Sequence, residues 1–270
     1  MAQSNNSIKK ILTVAFALCI VCSIIVSTAA VALRAKQQLN QELDRKTNIL
    51  NVADLYEPGD DVAEEFKKIT PKVIDLRSGE YTDEFDPETY DSFQAAKDPA
   101  QSRTLSGEKD IAGLSRQENY TTVYLVGDQD DPEQVILPIR GQGLWGLMRG
   151  YLAVEGDGNT IVGITYYSHS ETPGLGGEVD NPKWKAQWEG KEIYAEDGNM
   201  NPAIALVKGG ASADTEVDAL SGASLTSKGV TNMLQFWLGP EGFGEYLAKF
   251  RSGTDQGAVD TASADETEGA

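Results

Sequence analysis

Glu216-Val217-Asp218-Ala219-Leu220-Ser221-Gly222-Ala223-Ser224-Leu225-Thr226-Ser227-Lys228-Gly229-Val230-Thr231-Asn232-Met233-Leu234 is the stretch around which the chain is organised. From Leu225 onward the apolar side chains fall at Leu225, Val230, Met233, Leu234 and Trp237, a helical stripe, and the preceding run supplies cap-type residues and a glycine. Ser221 to Thr226 are therefore expected at a helix N-terminus. The first backbone N–H groups of a helix lack intrahelical partners and its dipole is positive there, so the place suits a phosphate. Gly222 and Ala223 let backbone approach a ligand closely. Ser224, Thr226 and Ser227 offer hydroxyls that can hydrogen-bond a phosphate or be esterified by one. The competing reading is a well-capped surface helix.

Working upstream, residues 203–207 read as a strand delivering Lys208. Residues 171–178 carry a charge at Glu171, a rigid Pro173 and glycines at 174, 176 and 177. Such a loop either brings backbone amides against a flat aromatic ligand or is simply a long turn. Further back, 123–126 with 135–139 and 151–154 with 161–167 read as two β-hairpins across turn-rich connections, so the sheet is expected to be antiparallel. Gly141-Gln142-Gly143 between them opens no helix after a strand and is not a dinucleotide fingerprint. Residues 53–119 alternate acidic turns with a helix over 62–68, a strand over 72–76 and a helix over 87–97. Asp83, Glu84, Asp86 and Glu88 read as a solvated turn, since they lack the glycine-bent spacing of a Ca2+ loop. Downstream, Pro240 starts a last helix with Phe243, Tyr246, Leu247 and Phe250 on one face.

At the other end of the chain, Ile11 to Leu33 is free of formal charge and rich in Ile, Val, Leu and Ala. At 1.5 Å per residue it spans roughly 34 Å, enough to cross a bilayer once. The rival is a cleaved signal peptide ending at Ala30-Val31-Ala32. The length of the run and its direct passage into Arg34-Ala35-Lys36 favour an uncleaved anchor. Lys9 and Lys10 on one side and Arg34 and Lys36 on the other nearly tie under the positive-inside rule. A short charged leader usually stays inside, which puts the acidic domain outside. Leu39, Leu43 and Leu50 continue a helical stripe as a stalk. The expected organisation is a cytoplasmic leader (1–10), a transmembrane helix (11–33), a helical stalk (34–52), a folded domain (53–251) and a tail (252–270). That tail has five acids and no base, and is too poor in large apolar groups to order itself.

Composition sets the bounds. The 270 residues, 40% hydrophobic, suffice for a packed core. A net charge of -19, from 42 acidic and 23 basic residues, repels phosphate backbones and argues against nucleic acid. The two cysteines, Cys19 and Cys22, both lie in the apolar run. They read as small lipid-buried side chains, with a thiolate pair completed by a neighbouring subunit as the sharper alternative. The single histidine, His169, has no second histidine with which to build a metal or catalytic set and reads as a loop residue near the site.

Asp218-Ala219-Leu220-Ser221-Gly222-Ala223-Ser224 resembles the Asp-x-x-Ser/Thr-Gly-Ala-Thr/Ser signature of the covalent FMN-binding domain family, in which FMN is joined through its phosphate to a hydroxyl. The acceptor position of that signature maps onto Ser224. The family usually has Thr there, and Thr226 stands as a rival acceptor. Asn6-Ser7-Ile8-Lys9-Lys10, Gly143-Leu144-Trp145, Glu171-Thr172-Pro173-Gly174-Leu175-Gly176-Gly177-Glu178 and Lys208-Gly209-Gly210-Ala211 extend the likeness, in order, to the C subunits of Na+-translocating NADH:quinone oxidoreductases.

The resemblance implies an α+β protein, a single N-terminal transmembrane helix followed by a soluble periplasmic FMN-binding domain with an antiparallel sheet and flanking helices, on the bacterial inner membrane. It implies a one-electron relay within a multi-subunit complex that oxidises NADH, reduces ubiquinone and pumps Na+, with no complete active site in this chain. It also implies maturation by a separate flavin transferase using FAD. Ser221, Gly222 and Ala223 would flank the phosphate, and Trp145, Glu171, Thr172, Leu175, Gly176 and Lys208 would surround the flavin ring. A lysine at the N1/C2=O edge stabilises the reduced, anionic ring and raises its potential. The alternatives are the G subunits of the related ferredoxin:NAD electron-transport complexes, and a membrane-tethered binding module without redox chemistry.

Overall fold

The computed structural model describes residues 8–129, 131–195 and 201–251. Most of the expected leader and the expected acidic tail thus lie outside the described residues. The chain divides into two compact units, 1–45 and 46–270. The described part of the first is all helix, the greater part of α1 (Ile8–Val52), whose last residues belong to the second. Its apolar part, with a mean hydropathy of 2.6, is long and apolar enough to cross a membrane by length and composition. Its large side chains, Phe16, Ile24 and Ile25 among them, are exposed, as are Cys19 and Cys22 one turn apart.

The second unit opens on the last turns of α1, where Ile49 and Leu50 are completely buried. A short helix α2 (Val62–Glu65), capped by the Asp61 carboxylate on Ala63 N–H, leads through a 3-10 turn into β1 (Ile69–Asp75). The following elements are β2 (Glu80–Thr82), α3 (Ser92–Ala95), β3 (Ser102–Thr104), β4 (Arg116–Glu118), β5 (Tyr120–Gly127), β6 (Pro132–Gln142), β7 (Leu147–Glu155) and β8 (Ile161–Ser168). Then come α4 (Pro182–Lys185), β9 (Ala205–Val207), β10 (Glu216–Asp218) and α5 (Ser224–Leu238). Residues 244–251 form a final helix. The main sheet is antiparallel, in the order β2-β1-β5-β6-β7-β8, and both expected hairpins are present.

Strand alternation feeds two cores at once. Val123 and Leu125 of β5, Leu137 and Ile139 of β6 and Leu152 and Val154 of β7 face the larger core under α5. Tyr124, Val126, Ile136, Tyr151 and Ala153 face a smaller one with Ile49, Leu50 and Phe66. With both faces covered, these strands read as continuous apolar runs.

Two sequence expectations need correction. The helix over 87–97 is one helical turn at 92–95, because Asp91 caps it afresh by accepting from Phe93 and Gln94 N–H, while Asp86 starts a separate turn before it. Leu225 does not join the buried stripe of α5. It lies five positions before Val230, about 140° round the helix at 100° per residue, and is 62% exposed. The main sheet is antiparallel as expected; β9 and β10 lie outside it as a separate parallel pair, Leu206 opposite Val217.

Candidate functional site

Helix α5 is seated on the end of β6 through glycines. A Cβ on Gly141 would come within 2.7 Å of Met233 Cβ, and one on Gly229 within 2.5 Å of the Gln142 carbonyl oxygen. That close approach sets the first turn of α5 beside the 143–146 loop, and no periodicity in the sequence announces it. Val230, Met233, Leu234 and Trp237 anchor the helix from below, all completely buried.

The turn before α5 is internally tied. Ser227 Oγ accepts from Leu220 N–H at 3.0 Å and donates to the Ala223 carbonyl at 3.0 Å. Gly222 sits at φ 72°, a left-handed conformation that costs a residue with Cβ roughly 1–2 kcal/mol. No side chain caps the helix start, so the capped-surface-helix reading does not describe it. Ser221, Gly222 and Ser224 are exposed and Ala223 is buried. Thr226 is completely buried.

Glu171 joins this turn to two others. Its Oε1 accepts from Leu144 N–H at 2.9 Å and Trp145 N–H at 3.0 Å, and its Oε2 accepts from Thr226 Oγ1 at 2.5 Å. The residue is 6% exposed, and three loops, 143–146, 171–178 and 220–226, therefore meet on one carboxylate. His169 supports it from behind: Nδ1 accepts from Glu171 N–H at 3.2 Å, and Nε2 lies 2.8 Å from Asp180 Oδ2. Thr172 shapes the loop through its carbonyl, which accepts from Leu175 and Gly177 N–H at 3.1 and 2.9 Å. The Leu175 side chain reaches the Gly222 turn, with Cδ2 3.0 Å from where a Cβ on that glycine would stand.

The rim of this junction is apolar and open. Leu144, Trp145, Leu175 and Leu225 are 43, 67, 44 and 62% exposed, unusual for side chains of this size in a folded domain. Lys208 is exposed at the end of β9, whose partner β10 runs into the 219–223 turn through Ala219 N–H to the Val207 carbonyl at 2.8 Å. Among the described residues no group of three or more His, Cys, Asp or Glu gathers as for a metal ion.

An FMN group fits what is present. An uncapped helix start offers N–H groups to a phosphate, an exposed hydroxyl lies at the same point, and a glycine-lined junction with an exposed apolar rim suits a flat ring. The class that this fold and site define is the FMN-binding domain, and that family's pattern matches residues 143–239. Relatives extend the likeness over nearly the whole chain. The C subunit of the Na(+)-translocating NADH-quinone reductase from Vibrio anguillarum is 53% identical over 256 residues, 94% of this chain and 99% of that one. Its counterpart from Pseudomonas aeruginosa is 49% identical over 259 residues, 93% of this chain and 98% of that one. The crystal structure of NqrC from Shewanella oneidensis superposes with a TM-score of 0.70 at 36% identity, covering 78% of this chain and 97% of that one. The chain belongs to the family of Na(+)-translocating NADH-quinone reductase C subunits, flavoprotein subunits of that complex.

Proposed function

We propose that this chain carries FMN as a phosphoester on Ser224 and serves as a one-electron relay in a complex that passes electrons from NADH to ubiquinone and moves Na+. The observation that carries the reading is the contrast between two hydroxyls in the first turn of α5. Ser224 is exposed at an uncapped helix start, while Thr226 is buried and donates to Glu171. In attachment, Ser224 Oγ loses its proton and forms the bond to phosphorus as the pyrophosphate link of FAD breaks and AMP leaves, on a separate flavin transferase. The α5 N–H groups then disperse the negative charge of the diester. FMN supplies the electron-accepting ring. Leu144, Trp145, Leu175 and Leu225 would shield its faces from water, Gly222 would let backbone come close, Gly176 would keep the 171–178 loop tight against Glu171 and Thr226, and Lys208 would supply positive charge.

The apolar segment of α1 is assigned as the single inner-membrane anchor, with the acidic domain on the periplasmic side. An exposed run of Ile, Val, Leu and Phe around the whole helix is costly in water and natural in lipid. The intact mass of the full chain, co-produced with a flavin transferase, tests the central point and is expected to show one FMN less one water. A dark band under ultraviolet light after denaturing electrophoresis of that material removes the redox reading and leaves the tethered binding module.

A further inference from the structure

We propose that Glu171 is a specificity-determining residue, whose carboxylate withholds Thr226 from flavin attachment and so leaves Ser224 as the acceptor. The inference rests on the reading of the domain as a covalent FMN carrier and concerns how one hydroxyl is chosen over another.

Ser224 and Thr226 both carry a hydroxyl in the first turn of α5, and an alcohol is all that the attachment chemistry consumes, while the Ser227 hydroxyl is tied to Leu220 N–H and the Ala223 carbonyl. The structure separates the other two. Thr226 Oγ1 directs its proton into Glu171 Oε2, while Oε1 is held by the Leu144 and Trp145 amides. The carboxylate is thus fixed from both ends. Glycines keep neighbouring chain tight against it: a Cβ on Gly176 would stand 2.5 Å from Oε2 and 2.6 Å from Thr226 Oγ1, and a Cβ on Gly143 2.5 Å from Oε1. Any larger residue at either position would push the carboxylate off its partners.

Charge completes the discrimination. A phosphodiester on Thr226 would place its negative charge against a buried carboxylate, where screening by water is weak and like charges repel strongly. On Ser224 the same charge faces helix N–H groups and solvent. Glu171 is a positioning residue: it acts through Thr226 and through the two amides.

The test uses the full chain co-produced with a flavin transferase and supplied with FAD, with flavin-bearing peptides mapped by tandem mass spectrometry. In wild type, the flavin is expected on Ser224. In E171A, and in E171Q should the alanine variant lose its far-ultraviolet circular dichroism, about a tenth or more of the flavin peptides are expected on Thr226, the share that loss of one discriminating hydrogen bond would produce. E171A/T226V is expected to abolish that share. E171Q keeps an oxygen for the two amides but turns an N–H2 group toward Thr226, freeing its hydroxyl proton, and removes the charge, so a gain of Thr226 ester there assigns the discrimination to the carboxylate rather than to the bulk of the side chain. An unmodified Thr226 in the folded variants, whatever their total flavin, overturns the proposal. Absence of flavin from wild type instead overturns the covalent reading on which it rests.

Discussion

Thr226 Oγ1 donates to Glu171 Oε2 at 2.5 Å, two residues after an exposed Ser224 on the same helix. Ser224→Leu is therefore expected to abolish in-gel flavin fluorescence. Thr226→Val, which keeps the volume of a buried side chain and drops only its hydroxyl, is expected to retain it. Folding of both variants is checked by circular dichroism. Fluorescence lost only with the Thr226 change would show that the buried hydroxyl is the acceptor.

Gly176 is a packing constraint rather than a backbone one. Its Cβ would stand 2.5 Å from Glu171 Oε2 and 2.6 Å from Thr226 Oγ1, and neither neighbour can yield without giving up its hydrogen bond. Gly176→Ala is expected to cost about 1–3 kcal/mol, as overpacking of a close-fitted site does. Urea unfolding of the purified chain in detergent measures it, and a stability unchanged within about 0.5 kcal/mol would show that the carboxylate moves freely.

Much of this architecture is legible in the sequence, and the reasons differ by element. The two hairpins show as apolar runs bounded by Gly and Asp turns, and α5 shows through Val230, Met233, Leu234 and Trp237, because one-sided burial imprints a period of 3.6 residues. Leu225 misleads because its apolarity belongs to an exposed rim. The parallel pairing of β9 with β10 joins two three-residue strands too short to show a period, and the seating of Gly229 on Gln142 is a long-range approach that leaves none. Glu171 stands out as one member of a glycine-rich loop, yet its partners Leu144, Trp145 and Thr226 are far away in the chain. Glu118 and Arg140 give no signal of their own, since single charges in strands ordinarily face water.

Those two residues form a buried ion pair. Arg140 Nη1 donates to Glu118 Oε1 at 2.6 Å and Nη2 donates to Oε2, with side chains 10 and 0% exposed. The guanidinium lies 5.1 Å over the Trp237 ring, whose Nε1–H donates to the Arg140 carbonyl at 2.6 Å. Glu118→Ala would leave a buried cation without its partner and is expected to cost about 3–5 kcal/mol. Replacing both residues together, as Glu118→Gln with Arg140→Met, is expected to cost less than Glu118→Ala alone. Thermal unfolding of the three proteins decides it, and a double variant less stable than Glu118→Ala would show that the pair contributes net stability.

Tyr194 gives the domain an alkaline limit. Burial pushes its phenol up to about 12, opposed by Arg251, whose guanidinium lies 3.7 Å over the ring. The hydroxyl donates to the Leu238 carbonyl at 2.6 Å, holding the end of α5. In the unfolded chain the phenol ionises near pH 10. Stability from this group is therefore complete below pH 10 and falls as pH rises toward about 12, because the unfolded state then binds fewer protons than the folded one. The slope is about 1.4 kcal/mol per pH unit for one such group. Burial raises Tyr90, Tyr166 and Tyr246 in the same direction, and they add to the fall. Tyr194→Phe is expected to lose about 1 kcal/mol at pH 8, one hydrogen bond, and to show a shallower decline above pH 10 than wild type. Urea unfolding at pH 8, 10 and 11 measures both quantities. Parallel declines for the two proteins would show that Tyr194 ionises in the folded domain as readily as in the unfolded chain.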